Sequence, residues 1–164
     1  MVKFFIALAS IVFLSTGCNQ PLKVITSETK EQSNMNYKLD GQIIIANQTL
    51  NFELADEPGE YSQGLSFREG ISDEWGMLFD FKALVNGSFW MKDMNFAIDI
   101  IWILEDQVVG IEKNAKPEPG KTSSELTRYL SPTKINKVLE LNSGWSDKYG
   151  LKVGDRIKIE YRQD

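Results

Sequence analysis

The run IDIIWIL, Ile98–Leu104, constrains this chain more than any other stretch. Residues two apart on a strand share a face. Ile98, Ile100 and Trp102 therefore lie on one side, and Asp99, Ile101 and Ile103 on the other. A strand that is apolar on both sides belongs in the middle of a sheet covered on both faces. That placement carries Asp99 inward, and an unpaired buried carboxylate is costly or is forced neutral. Asp99 therefore needs a partner. Arg68, in SFRE, is the leading candidate because a guanidinium fork matches a carboxylate in two parallel hydrogen bonds; Lys92 is the second. We expect Asp99 to be ionised, largely buried and bonded to Arg68. Such a pair either pins a loop onto the sheet, the commoner case, or marks a ligand-binding or catalytic carboxylate at a pocket mouth.

Other segments fit around this strand. QIIIANQTLNFELA (42–55) holds two β-rich runs about a turn at Asn47-Gln48, and Leu50, Phe52 and Leu54 alternate with polar residues as in a half-buried strand. DEPGEYSQGLSF (56–67) has Asp56 as a cap and Pro58 for a first helical turn. GMLFDF (76–81), SFW (88–90), IDIIWIL and QVVGIEKNA (107–115) read as strands, with Glu105-Asp106 turning between the last two. KPEPGKTSSE (116–125) is a loop, KVLELN (137–142) a strand, SGWSDKYG (143–150) a short helix ending at Gly150, and DRIKIEYR (155–162) a final strand. These elements predict a mainly β chain of the α+β class: a compact antiparallel β-sandwich or barrel with two short helices, over residues 37–164.

The first 36 residues read differently. Lys3 and an apolar run over residues 4–14 form the charged and hydrophobic parts of an export signal, too short to span a bilayer. LSTGC (14–18) follows and ends on the one cysteine of the chain. It resembles the lipobox of bacterial lipoproteins, which implies a signal peptide over 1–17 and acylation of Cys18. Residues 18–36 are polar and aperiodic, and read as a flexible tether. The expected location is the cell envelope, anchored in the membrane through lipidated Cys18. Asn19 after the cysteine implies the periplasmic side of the outer membrane if the source is Gram-negative. Loss of residues 1–17 leaves 17 basic against 23 acidic residues, a net −6. That acidity argues against nucleic acid as a partner.

Three blocks carry a family resemblance: FELADEPGEYSQGLSFREGISDEWGMLFDF (52–81), SFWMKDMNFAIDIIWI (88–103) and VLELNSGWSDKYGLKVGDRIKI (138–159). In this order they resemble the DUF192 family, also called UPF0127. The resemblance implies a compact, mainly β domain, often exported, and implies no biochemical activity. Ser66 stands where members usually have Met, Asp93-Met94 where they have Asn-Thr, and Ala97 where they have Pro.

The chain has no histidine, and no thiol remains once Cys18 is acylated. Histidine-dependent nucleophilic catalysis and ordinary zinc sites are therefore excluded. No cofactor is implied. Arg68, Trp90, Met91, Lys92 and Asp99 are the candidate ligand-binding residues, grouped at a cleft that takes a small molecule, a glycan or an envelope protein. The domain is expected to be a binding module rather than an enzyme. One alternative is a hydrolase of envelope glycan, with Asp99 or Asp93 as general acid or base and Glu60 or Glu69 as second carboxylate. Another is a soft-metal binder using Met91, Met94 and Met77 as thioether ligands, although methionine is mostly a core filler. Trp90, Trp75 and Tyr61 are weighed as an aromatic platform; large aromatics are more often core.

Overall fold

The computed structural model describes residues 37–163. Residues 1–36, which carry the expected signal peptide, the expected acylation site Cys18 and the expected tether, lie outside the described residues. Seven strands make one sheet: β1 (Gly41–Ile45), β2 (Gln48–Ala55), β3 (Trp75–Phe89), β4 (Ile98–Leu104), β5 (Gln107–Ala115), β6 (Tyr129–Asn142) and β7 (Lys158–Tyr161). Two short helices accompany them, α1 (Pro58–Gln63) and α2 (Trp145–Tyr149). The spatial order is β5-β4-β6-β3-β2-β1-β7. Every neighbouring pair is antiparallel except β2 and β3, which run parallel across the connection that contains α1. A parallel neighbour needs such a crossover, because a tight turn can only reverse the chain. The two edges of the sheet meet at one end, where Gln107 bridges Arg156 and Val108 exchanges backbone bonds with Asp155 and Gly154. No continuous ladder joins them, so the sheet curls without closing into a barrel.

Both faces are covered, as the pattern of β4 requires. β4 is buried from Ile98 to Ile103. On the inner face Ile43, Phe52, Leu78, Ile101, Leu139 and Leu141 pack with Trp145 of α2. On the outer face Met77, Phe79, Ile98, Ile100, Trp102 and Val138 pack with Leu65, Ile71 and Met91 from the connections. Alternation explains the split: Leu78 faces in while Met77 and Phe79 face out. Among the described residues no helix is long and apolar enough to cross a membrane.

Three differences from expectation matter most, besides a last strand that starts at Lys158 and not at Asp155. The first hairpin turns at Ala46-Asn47, one residue earlier than Asn47-Gln48. Both turn residues have positive φ (49° and 59°), the geometry whose twist suits a two-residue hairpin. The segments 76–81 and 88–90 are one strand, β3, interrupted by irregular pairing between Asp80 and Val85 where Lys82 takes φ 54°. Its partner β6 also extends well before residue 137. Pro132 lies in the second irregularity, between the Ser88–Leu130 and Asn86–Lys134 pairs, where its missing N–H does least damage to the ladder.

Candidate functional site

Asp99 is fully buried, but Arg68 is not its partner. Asp99 Oδ1 accepts the backbone N–H groups of Asn114 (2.9 Å) and Gly144 (3.1 Å), and Oδ2 accepts that of Ser146 (2.9 Å). The carboxylate ties β4 to the end of β5 and to the first turn of α2. Three backbone donors do the work assigned to the guanidinium. Asp99 sits on the inner face at the start of β4, not in an open groove, so the glycan-hydrolase alternative loses that acid. Glu60 is also occupied: its Oε2 accepts the N–H groups of Asp56 (3.0 Å) and Glu57 (3.2 Å), closing the first turn of α1. Glu69 and Asp93 are exposed.

Arg68 belongs to the outer face. It reaches from the loop after α1 to Glu53 of β2 in a bidentate pair, Nη1–Oε1 2.6 Å and Nη2–Oε2 2.9 Å. Glu53 lies in a row that crosses the sheet: it stands opposite Met77, Met77 opposite Glu140, and Glu140 opposite Ile100. Side chains in such a row share one face. Glu140 is therefore a carboxyl wedged between Met77 and Ile100, in β6 near the middle of the sheet. It is 5% exposed, and its Oε2 has no hydrogen-bond partner among the described residues. Burial pushes this carboxyl up to about 8, with the Arg68 charge opposing the rise. Arg68 cannot do more, because its fork is already committed to Glu53. At neutral pH Glu140 is mostly an uncharged acid.

A cleft of about 310 Å³ opens above this carboxyl. Tyr61, Phe79, Phe81, Phe89 and Trp90 supply its aromatic wall, and Ser62, Ser66, Asn86 and Ser88 its polar rim. The rings hold one another: Phe79 and Phe89 meet edge to face at 5.0 Å, and Tyr61 tilts against Phe81 at 5.1 Å. Tyr61 is fixed further by its hydroxyl, which bonds the carbonyls of Asp56 and Asp80. Gly64 stands over the floor with φ 50°. A Cβ there would crowd Phe79 at 3.3 Å and touch Glu140 Oε2 at 3.8 Å, so a glycine suits this position over the floor. Among the described residues Glu140 is the one carboxyl lining this cleft, and neither lysine nor arginine lines it. Two-carboxylate glycoside hydrolysis needs a second acid about 5–10 Å away. The nearest in the row, Glu53, is held by Arg68.

The five sequence candidates thus separate. Arg68, Trp90, Met91 and Lys92 lie on two loops that are zipped together: Ser66 Oγ–H bonds Lys92 O (2.8 Å), Phe67 N–H bonds Asp93 O (2.8 Å), and Asn95 Nδ2–H bonds Arg68 O (3.0 Å). Asp99 is elsewhere. Trp90 lines the cleft and carries the Arg128 guanidinium over its ring at 3.5 Å. Met91 is 1% exposed and packs in the outer core with Met77, while Met94 lies against that core, as methionine fillers do. Lys92 and Asp93 are exposed, 3.9 Å apart, beside a separate hollow. Of the proposed platform, Tyr61 and Trp90 line the cleft, whereas Trp75 stacks on Tyr37. Among the described residues no cluster of three His, Cys, Asp or Glu side chains is placed to hold a metal ion.

Sequence reasoning missed Glu140. The signal was present: in KVLELN an acid sits between Leu139 and Leu141, the same pattern that singled out Asp99.

A curled, mostly antiparallel sheet with an acid-floored aromatic cleft is the class of domain defined here. The DUF192 profile, described as an uncharacterized ACR, matches residues 41–159. The chain belongs to the DUF192 family. Among solved structures it is similar to a "putative transcription regulator" from Sinorhizobium meliloti, at 28% identity and a TM-score of 0.66, over 76% of this chain and 97% of that one. It is also similar to a protein of unknown function from Novosphingobium aromaticivorans, at 29% identity and a TM-score of 0.65, over 71% and 83% of the two chains. No curated protein matches.

Proposed function

We propose that this chain is a lipid-anchored protein of the cell envelope whose domain binds a small molecule in the cleft above Glu140. One observation carries the binding reading. Glu140, whose buried Oε2 has no hydrogen-bond partner among the described residues, lies at the floor of an aromatic cleft. An unsatisfied buried polar atom costs on the order of 1–3 kcal/mol. A ligand that satisfies it recovers that cost, and the surrounding rings supply apolar contact. Anchoring rests on LSTGC and the polar segment behind it. A regulator role like the one in the Sinorhizobium name is not adopted, since the mature charge of −6 repels nucleic acid.

Two results test the two halves of this reading. Cys18→Ser is expected to move the protein from the membrane fraction to the soluble fraction; a variant that stays with membranes refutes the anchor. For binding, a fragment set containing neutral, cationic and anionic members is titrated while NMR signals of the whole domain are followed. Shifts concentrated at Tyr61, Phe89 and Trp90 are expected. Shifts scattered over the surface, or none, refute the cleft as a binding site.

A further inference from the structure

We infer that the cleft is built for a small organic ammonium cation, bound with an N–H group donating to Glu140 Oε2 and with its carbon body against the aromatic wall. This rests on the small-molecule reading above and narrows it to one chemical class. Three features carry it. Among the described residues the one ionisable acid lining the cleft is Glu140, and no basic side chain lines it, so the wall offers an anion no charged partner. Tyr61, Phe79, Phe81, Phe89 and Trp90 line the cleft around the floor, and aromatic rings attract cations. Trp90 already does so, with Arg128 at 3.5 Å from its centroid. Finally, once the carboxyl is ionised the orphaned oxygen is an acceptor only, and a cation's N–H can satisfy it.

The nearest fixed positive charge does not defeat this. Arg68 is neutralised by Glu53 in a bidentate pair and does not line the cleft. The groups around Glu140 are few. Met77 and Ile100 flank it in the sheet; Glu112 lies beyond Ile100 on β5; Glu53 and Arg68 lie beyond Met77; Tyr61 approaches from α1, and Tyr37 stands by Arg68 and Glu53. A cation arriving at the floor stabilises the carboxylate over the acid. The exchange balances as carboxylic acid plus ammonium giving an ammonium carboxylate pair, with one proton released to solvent. Burial holds the free carboxyl up at about 8, so at pH 7 most sites start protonated and the proton is available for release.

Benzylammonium is the probe, with benzyl alcohol as its uncharged near-isostere and benzoate as the anion. All are titrated calorimetrically into the purified full chain in two buffers of different ionisation heat. Benzylammonium is expected to bind at least about tenfold more tightly than benzyl alcohol, and to release close to one proton per molecule bound at pH 7. Its affinity is expected to rise on the order of fifty- to a hundredfold from pH 6 to pH 8.5, as the carboxyl ionises unaided. Glu140→Gln, close to isosteric with the neutral acid, is expected to remove both the proton release and the preference for the cation. The thermal midpoint of this variant checks that it is folded. Equal binding of benzylammonium and benzyl alcohol overturns the cation assignment and leaves the small-molecule reading standing. So does cation binding without proton release, or cation binding unaltered in Glu140→Gln. If none of the three probes binds, or if they bind without shifting Tyr61, Phe89 and Trp90 signals, the cation assignment fails together with the cleft reading.

Discussion

Glu140→Gln is expected to stabilise this protein strongly at pH 8 and hardly at all at pH 5. The folded state holds the Glu140 proton up to about pH 8, whereas the unfolded chain releases it near the model value of 4.5. Between those values the native state binds more protons than the unfolded state, so unfolding free energy falls as pH rises. The contribution is fully present below the unfolded value and is lost as pH rises through the folded one. A span of about 3.5 pH units at roughly 1.4 kcal/mol each amounts to a loss on the order of 5 kcal/mol. Glutamine cannot ionise and so escapes it. Urea denaturation of both proteins at pH 5, 6.5 and 8 measures the effect. Other groups titrate in both proteins alike, so the difference between them isolates Glu140. Two parallel stability curves would show that the Glu140 carboxyl is not held protonated by burial.

The second large effect belongs to Asp99. Asp99→Ala removes the acceptor for the N–H groups of Asn114, Gly144 and Ser146 and leaves a hole at a fully buried position. Each unsatisfied donor costs about 1–3 kcal/mol, with relaxation and water offsetting part of it. A loss on the order of 4 kcal/mol is expected, with hydrogen-exchange protection falling first at those three amides. Asp99→Asn retains one acceptor but turns its NH2 toward a donor, so a loss of about 2 kcal/mol is expected. Because Arg68 pairs with Glu53 and not with Asp99, Asp99→Ala and Arg68→Met should add within about 0.5 kcal/mol. Strong coupling between them would contradict the separation of the two faces. A change below about 1 kcal/mol for Asp99→Ala would show that the three amides find other partners.

The contrast between Asp99 and Arg68 shows how far local pattern reaches. Burial of Asp99 was legible, because alternation alone places it between Ile98 and Ile100 on a strand with two apolar faces. Its partners were not. They are backbone amides 15, 45 and 47 residues away, and a backbone amide has no residue type to recognise. Arg68 matched as chemistry but lies over the other face of the sheet, a question of topology. Glu140 repeats the lesson with the opposite outcome. KVLELN announces a buried acid, yet that its Oε2 stays unpaired depends on Met77, Ile100 and the Arg68–Glu53 pair, which come from four other parts of the chain.

Period-two alternation, β-branched runs and turn residues were enough by themselves to determine a mainly β fold, the burial of β4 on both faces away from the sheet edge, the Glu105-Asp106 turn and two short helices, because these follow from interactions within a few residues. The long paths of β3 and β6 through their irregularities, the parallel β2–β3 pair and the cleft over Glu140 were decided by tertiary structure alone. Each depends on which distant segments share a sheet face and where their backbone donors end up, and side-chain periodicity along one strand carries no information about its neighbour.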